Sequence, residues 1–115
     1  MKTHVIVRLQ IDGLHNWPSA REFFSEVAFL SQEHRHMFHI EAKRQVHHDD
    51  RDVEFIMLKR DILDYLYDKY YDSQKRSHDF GPMSCEMIAR DVLENFECTA
   101  VTVWEDNENG ATVEL

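Results

Sequence analysis

Five histidines fall within fifteen residues, at positions 34, 36, 39, 47 and 48, in a run that otherwise alternates apolar and polar residues as a β-strand does. On a strand, side chains two apart project from the same face, so His34 and His36 bring two imidazoles close enough to share an ion. Two imidazoles are not a site. Catalytic zinc takes three protein ligands and leaves a fourth position open for water or substrate, so the third must come from elsewhere in the chain. His15 is the best candidate: it lies just past an earlier alternating run, and an antiparallel neighbour would bring it beside His34. His39 points to the opposite face, and His47 and His48 lie over ~30 Å of extended strand from His34. A histidine-rich chain also produces an HxH pattern without any metal, and His4, His39, His47, His48 and His78 read first as surface or turn residues.

The two cysteines supply a different chemistry. Cys85 opens a predicted helix, where the dipole favours a thiolate, yet it falls on that helix's apolar stripe and reads as core. Cys85 and Cys98 form no CxxC pair, and a chain with only three glycines and two prolines reads as a reduced, well-ordered, cytoplasmic domain. The net charge of −9 sets nucleic acid aside as a partner, because the averaged field repels phosphate backbones. Lys43, Arg44, Arg51, Lys59 and Arg60 still leave room for a local patch that takes a small anion. The apolar start of the chain is interrupted by Arg8 and Asp12, too short and too polar for a signal peptide or a membrane span.

These residues must be positioned by a single domain spanning 1–115, large enough for one core and too small for two. Residues 4 to 12 alternate and predict a strand, which Gly13 and Pro18 should end. A loop with a short helical turn around Ser19 to Phe24 follows. A second, long strand runs from His34 to Val46, with His34, His36, Phe38, Ile40, Ala42 and Val46 on one face. Steps of three and four predict a helix over 56–71, and DSQKRSHDFGP reads as a connecting loop. Ser84 can cap a second helix with Cys85, Ile88, Ala89, Val92, Leu93 and Phe96 buried. The segment 99–105, an Asn-Gly turn within 106–110, and 111–115 form a hairpin. The expected class is α+β, ordered ββααββ: a four-stranded antiparallel sheet with two helices on one face.

That order, with GLHNW around His15, HRHMFHIEA at 34–42, VEFIMLKRDI at 53–62, MSCEMIARDVL at 83–93 and VTVWEDNENGATVEL at 101–115, resembles the 6-pyruvoyltetrahydropterin synthase and 6-carboxytetrahydropterin synthase family. The resemblance implies the tunnelling fold, whose subunits close into multi-subunit barrels, here a homo-oligomeric trimer or hexamer. It also implies Zn2+ held by His15, His34 and His36, and Glu105 as the glutamate that anchors a pterin ring. A carboxylate there can accept two hydrogen bonds from an amidine-like N–H pair, the edge of a pterin or guanine. Its plain alternative is a solvent-facing strand glutamate, against which its shared face with Val101 and Val103 counts. The implied activity is a zinc-dependent lyase acting on 7,8-dihydroneopterin triphosphate; the alternative is a divergent protein that binds a pterin or guanine-like small molecule on the same scaffold. The departures bear on the chemistry. Leu30 stands roughly where the family carries a catalytic cysteine, and the family's Asp-His pair is met only by His78 and Asp79 in reversed order. Glu33 or Glu26 is the candidate replacement base, with His78 and Asp79 as proton carriers.

Overall fold

The computed structural model describes residues 1–115. Two long strands, β1 (Thr3–His15) and β2 (His34–Val46), pair antiparallel along their whole length, from Thr3 opposite Val46 to His15 opposite His34. Their alternation buries one face: Val7, Leu9 and Ile11 of β1 and Phe38, Ile40 and Ala42 of β2 are closed to solvent. A hairpin of β5 (Ala100–Glu105) and β6 (Asn109–Glu114) extends the sheet beyond β2 and adds Val101 and Val103 to that face.

Two helices cover it. α2 (Phe55–Tyr70) buries Leu58, Ile62 and Leu66, and α3 (Cys85–Asn95) buries Cys85, Ile88, Ala89, Val92 and Leu93. Each large apolar side chain contributes about 1.5–3 kcal/mol when removed from water. Both helices are capped as their sequences direct. The Glu54 carboxylate accepts from Met57 N, and the Ser84 hydroxyl accepts from Met87 N. The helices are joined by Asp91 of α3, which accepts hydrogen bonds from the Tyr65 and Tyr70 hydroxyls and from Lys69 of α2. A short helix α1 (Ala20–Phe23) and a 3-10 stretch (Ser25–Ser31) bridge β1 to β2, the helical turn falling where the sequence places it.

The sheet corrects the sequence-based expectation in three places. It has six strands, not four, and it is mixed. The expected loop DSQKRSHDFGP contributes a small hairpin, β3 (Tyr71–Asp72) and β4 (Ser77–Gly81), in the order β3-β4-β1-β2-β5-β6, with β4 parallel to β1. His78, read as a surface or turn residue, is consequently a buried strand residue whose Nδ1 donates to Asp12 O. Gly13 does not end β1. A Cβ there would lie 2.7 Å from a Phe80 ring carbon and 2.8 Å from Phe38, so the glycine makes room for two core rings crossing the strand. The β5–β6 turn is made by Asp106 and Asn107, both at positive φ, and not by Asn109-Gly110. Gly110 is required by close approach, since a Cβ there would meet Val103 O at 2.1 Å.

Candidate metal centre and its cleft

The end of the sheet where β1 stops, β2 begins and β5 stops gathers the chemistry. Because β1 runs on through Gly13, His15 sits opposite His34 and Gly13 opposite His36, placing all three imidazoles on the buried face above Phe38. Their ring centroids are 4.6 to 5.3 Å apart, and one nitrogen from each lies within 4.8 Å of the others. Phe38 pairs with Glu105 across the next ladder, so the Glu105 carboxylate rises beside the same cluster.

Each imidazole has its Nδ1 committed. His15 Nδ1 donates to Met83 O at 2.8 Å, His34 Nδ1 to Gln32 O at 2.8 Å, and His36 Nδ1 to Asp106 Oδ2 at 2.7 Å. A carbonyl oxygen can only accept, which fixes the Nδ1–H form and turns the Nε2 lone pairs inward, as the outer partners of metal-bound histidines do. His15 Nε2 and His36 Nε2 are buried without a hydrogen-bond partner. Buried polar nitrogens left unpaired are costly, and a metal ion shared with His34 would satisfy both.

Glu105 sharpens the point. Its Oε2 lies 2.9 Å from His15 Nε2, out of line for a hydrogen bond, and 3.7 Å from His36 Nε2. A contact of 2.9 Å between these atoms is satisfied by a cation beside them or by a proton on His15 Nε2. Burial pushes the His15 pKa down, but contact with Glu105 and Met83 O outweighs it, and the net shift is upward. The same contact with His15, followed by the charges of His36 and His34, holds the Glu105 carboxyl below its ordinary range against the opposing effect of burial. The donor set, three neutral nitrogens and an adjacent carboxylate, fits zinc.

A cleft of about 520 Å³ opens from this centre. Trp17, Leu30 and Met83 form apolar walls, and the first turn of α3 and the Asn109-Gly110 edge close the far side. Leu30, at the place where the resemblance expects a cysteine, therefore does line the cleft, and Trp17 N donates to Leu30 O at 2.7 Å. Cys85 lines it too, but burial, with Glu105 and Glu86 nearby, pushes its thiol up to about 12, so it stays protonated. The other expected residues lie elsewhere in the chain. Glu33 is exposed and binds Lys75 Nζ at 2.8 Å; Asp79 binds the same ammonium at 3.0 Å; His78 packs among Tyr67, Tyr71 and Phe80. None of the three borders the cleft. Glu26 borders a separate surface depression among Phe23 and Phe24. Of the basic residues singled out in the middle of the chain, Arg44 pairs with Glu97 and Arg51 with Asp50. Sequence reasoning missed Asp106, which orients His36 and also accepts from Met37 N at 2.9 Å. Its only signal was an acid directly after Glu105 at a hairpin turn.

No family model matches the chain, and no curated protein matches it. Solved structures do. The fold is that of a tetrahydropterin synthase. The structure of Caenorhabditis elegans 6-pyruvoyl tetrahydropterin synthase superposes with a TM-score of 0.70 over 100% of this chain and 96% of that one, at 16% sequence identity. The tetrahydropterin-synthase fold expected from the sequence is therefore present, with the six-stranded sheet described above. No helix is long and apolar enough to cross a membrane.

Proposed function

We propose that this protein is a zinc-dependent lyase of the tetrahydropterin-synthase kind, acting on the side chain of a dihydropterin bound in the cleft. The resemblance implies 7,8-dihydroneopterin triphosphate as that substrate. The observation that carries the reading is the convergence of three imidazoles with every Nδ1 tied down, beside a carboxylate and at the foot of a cleft.

His15, His34 and His36 would hold the zinc, which when bound polarises substrate oxygens and lowers their proton affinity. Asp106 keeps His36 in the required tautomer and orientation. Glu105 accepts the N–H pair of the ring, fixing its register, while Trp17 and Met83 cover apolar ring surface. Glu105 and Glu86 are the carboxylates within the cleft that can move a proton. A proton-transfer role for Glu33 and Asp79 is proposed only across an interface between copies, because within one chain they do not border the cleft, and His78, buried with its Nδ1 on Asp12 O, is not proposed to reach one.

A second reading, a pterin- or guanine-binding protein without the elimination step, is favoured by one observation: Leu30 presents an aliphatic side chain where a base is expected. Incubating zinc-loaded protein with 7,8-dihydroneopterin triphosphate and following tripolyphosphate separates the two, release supporting the lyase. Binding without release, weakened about tenfold or more in Glu105→Gln while zinc is retained, supports the binder. A Glu105→Gln variant that binds pterins as tightly as wild type contradicts the pterin assignment in both.

A further inference from the structure

The face of the sheet that α2 and α3 leave bare has a concavity of its own. The alternation that buries Leu9, Ile40 and Val103 turns their neighbours the other way, and the register sets three of those neighbours in a row: Gln10 lies opposite His39, and His39 opposite Trp104. The next position in that row is Gly110, which has no side chain to cover the indole, and Trp104 stays partly exposed. This row lines a depression of about 790 Å³, together with Arg8 of β1, Asn107 of the β5–β6 turn and Lys59 of α2.

The lining runs against the charge of the chain. In a protein of net charge −9, no Asp or Glu lines this depression, and Arg8 and Lys59 do. Glu41 engages Arg8 through Nε at 2.8 Å, which leaves the terminal guanidinium nitrogens to donate elsewhere, and Lys59 is exposed. Lys59 is also one of the mid-chain cations with which the sequence leaves room for a small anion. An uncovered indole takes the face of a planar ring, the two cations suit an anionic group, and the Gln10 and Asn107 amides with the His39 imidazole offer donors and acceptors to a ring edge.

We propose that this depression is a second ligand site, and that it takes a planar aromatic ring carrying a phosphate, as a nucleoside monophosphate does, with the ring on Trp104 and the phosphate toward Arg8 and Lys59. It shares no lining residue with the metal cleft. It is built from β1, β2, β5, the β5–β6 turn and α2 of one chain, inside the β3 and β6 edges of the sheet, so it needs no residue from a neighbouring copy.

The test is titration calorimetry of the full chain, metal-free and zinc-loaded, with adenosine 5′-monophosphate, adenosine and inorganic phosphate. The nucleotide should bind once per chain with a Kd below about 1 mM, about tenfold or more tighter than adenosine or phosphate alone, and equally with and without zinc. Lys59→Glu, at an exposed position outside the core, should weaken it about tenfold, and Trp104→Ala about fivefold. A nucleotide that binds no tighter than its two parts, or one whose binding Lys59→Glu leaves unchanged, overturns the site. Binding that appears only with zinc places the nucleotide in the metal cleft and overturns it as well. The pterin reading of the cleft is untouched by any of these results, since it is decided by Glu105→Gln.

Discussion

Asp106 is a positioning residue whose contribution can be isolated. Its backbone lies at positive φ, a conformation glycine adopts without strain, so Asp106→Gly removes the carboxylate and leaves the turn feasible. Losing the partner of a metal-bound histidine costs about 10–100-fold in metal affinity, and a chelator competition should show a drop of that size in the variant. Unchanged affinity would mean that His36 needs no outer partner. At this scale the sequence was partly legible. Strand alternation put His34 and His36 on one face, and antiparallel pairing brought His15 to them, because both follow from a period of two. Asp106 was not legible, because its contact with His36 spans 70 residues and depends on where the β5–β6 turn falls. The absence of Glu33, His78 and Asp79 from the cleft was not legible for the same reason. Local strings say which residues resemble a pattern, and tertiary placement decides what they face.

Among the elements, β1 owes its reach to Gly13. Gly13→Ala would push a methyl into Phe38 and Phe80, both fully packed, and overpacking of that sort costs about 1–3 kcal/mol, measurable by chemical denaturation. Wild-type stability in the variant would contradict the steric role. The α2–α3 clamp makes a pH-dependent prediction. Burial pushes the Asp91 pKa up, but hydrogen bonds from Tyr70, Tyr65 and Lys69 outweigh it, and the net shift is downward. A carboxyl depressed in the folded state stabilises above its unfolded pKa, and that stability is lost as pH falls through the folded value. Asp91→Asn should therefore be about 1–3 kcal/mol less stable than wild type at neutral pH, with the difference shrinking below about pH 4. A gap that stays constant down to acid pH would assign the loss to packing instead. Both helices and the two long strands could be read in advance, since stripes and alternation repeat often enough to register. β3 and β4, of two and five residues, are too short for a period to show among polar neighbours. Glycine at 13 and at 110 is ambiguous in the sequence, since turns and close approach both call for it, and the structure uses it for close approach.

The whole molecule leaves β3 and β6 as sheet edges. Exposed edges invite strand pairing, and we expect copies to pair through them into a trimer or hexamer, read by light scattering; a clean monomer would contradict the barrel and any role for a neighbour's residues in the site. The net charge of −9 has a bearing on the ligand as well, since the average field opposes anions and only local groups can reverse it. Everything proposed about the cleft depends on the metal centre at its foot. The most direct measurement is the zinc content of protein purified without a histidine tag, alongside His36→Ala. Close to one zinc per chain in the wild type and most of it lost in the variant is the expected result. A wild type that holds no zinc when loaded with it, or a His36→Ala variant that holds as much as wild type, would contradict the three-histidine site.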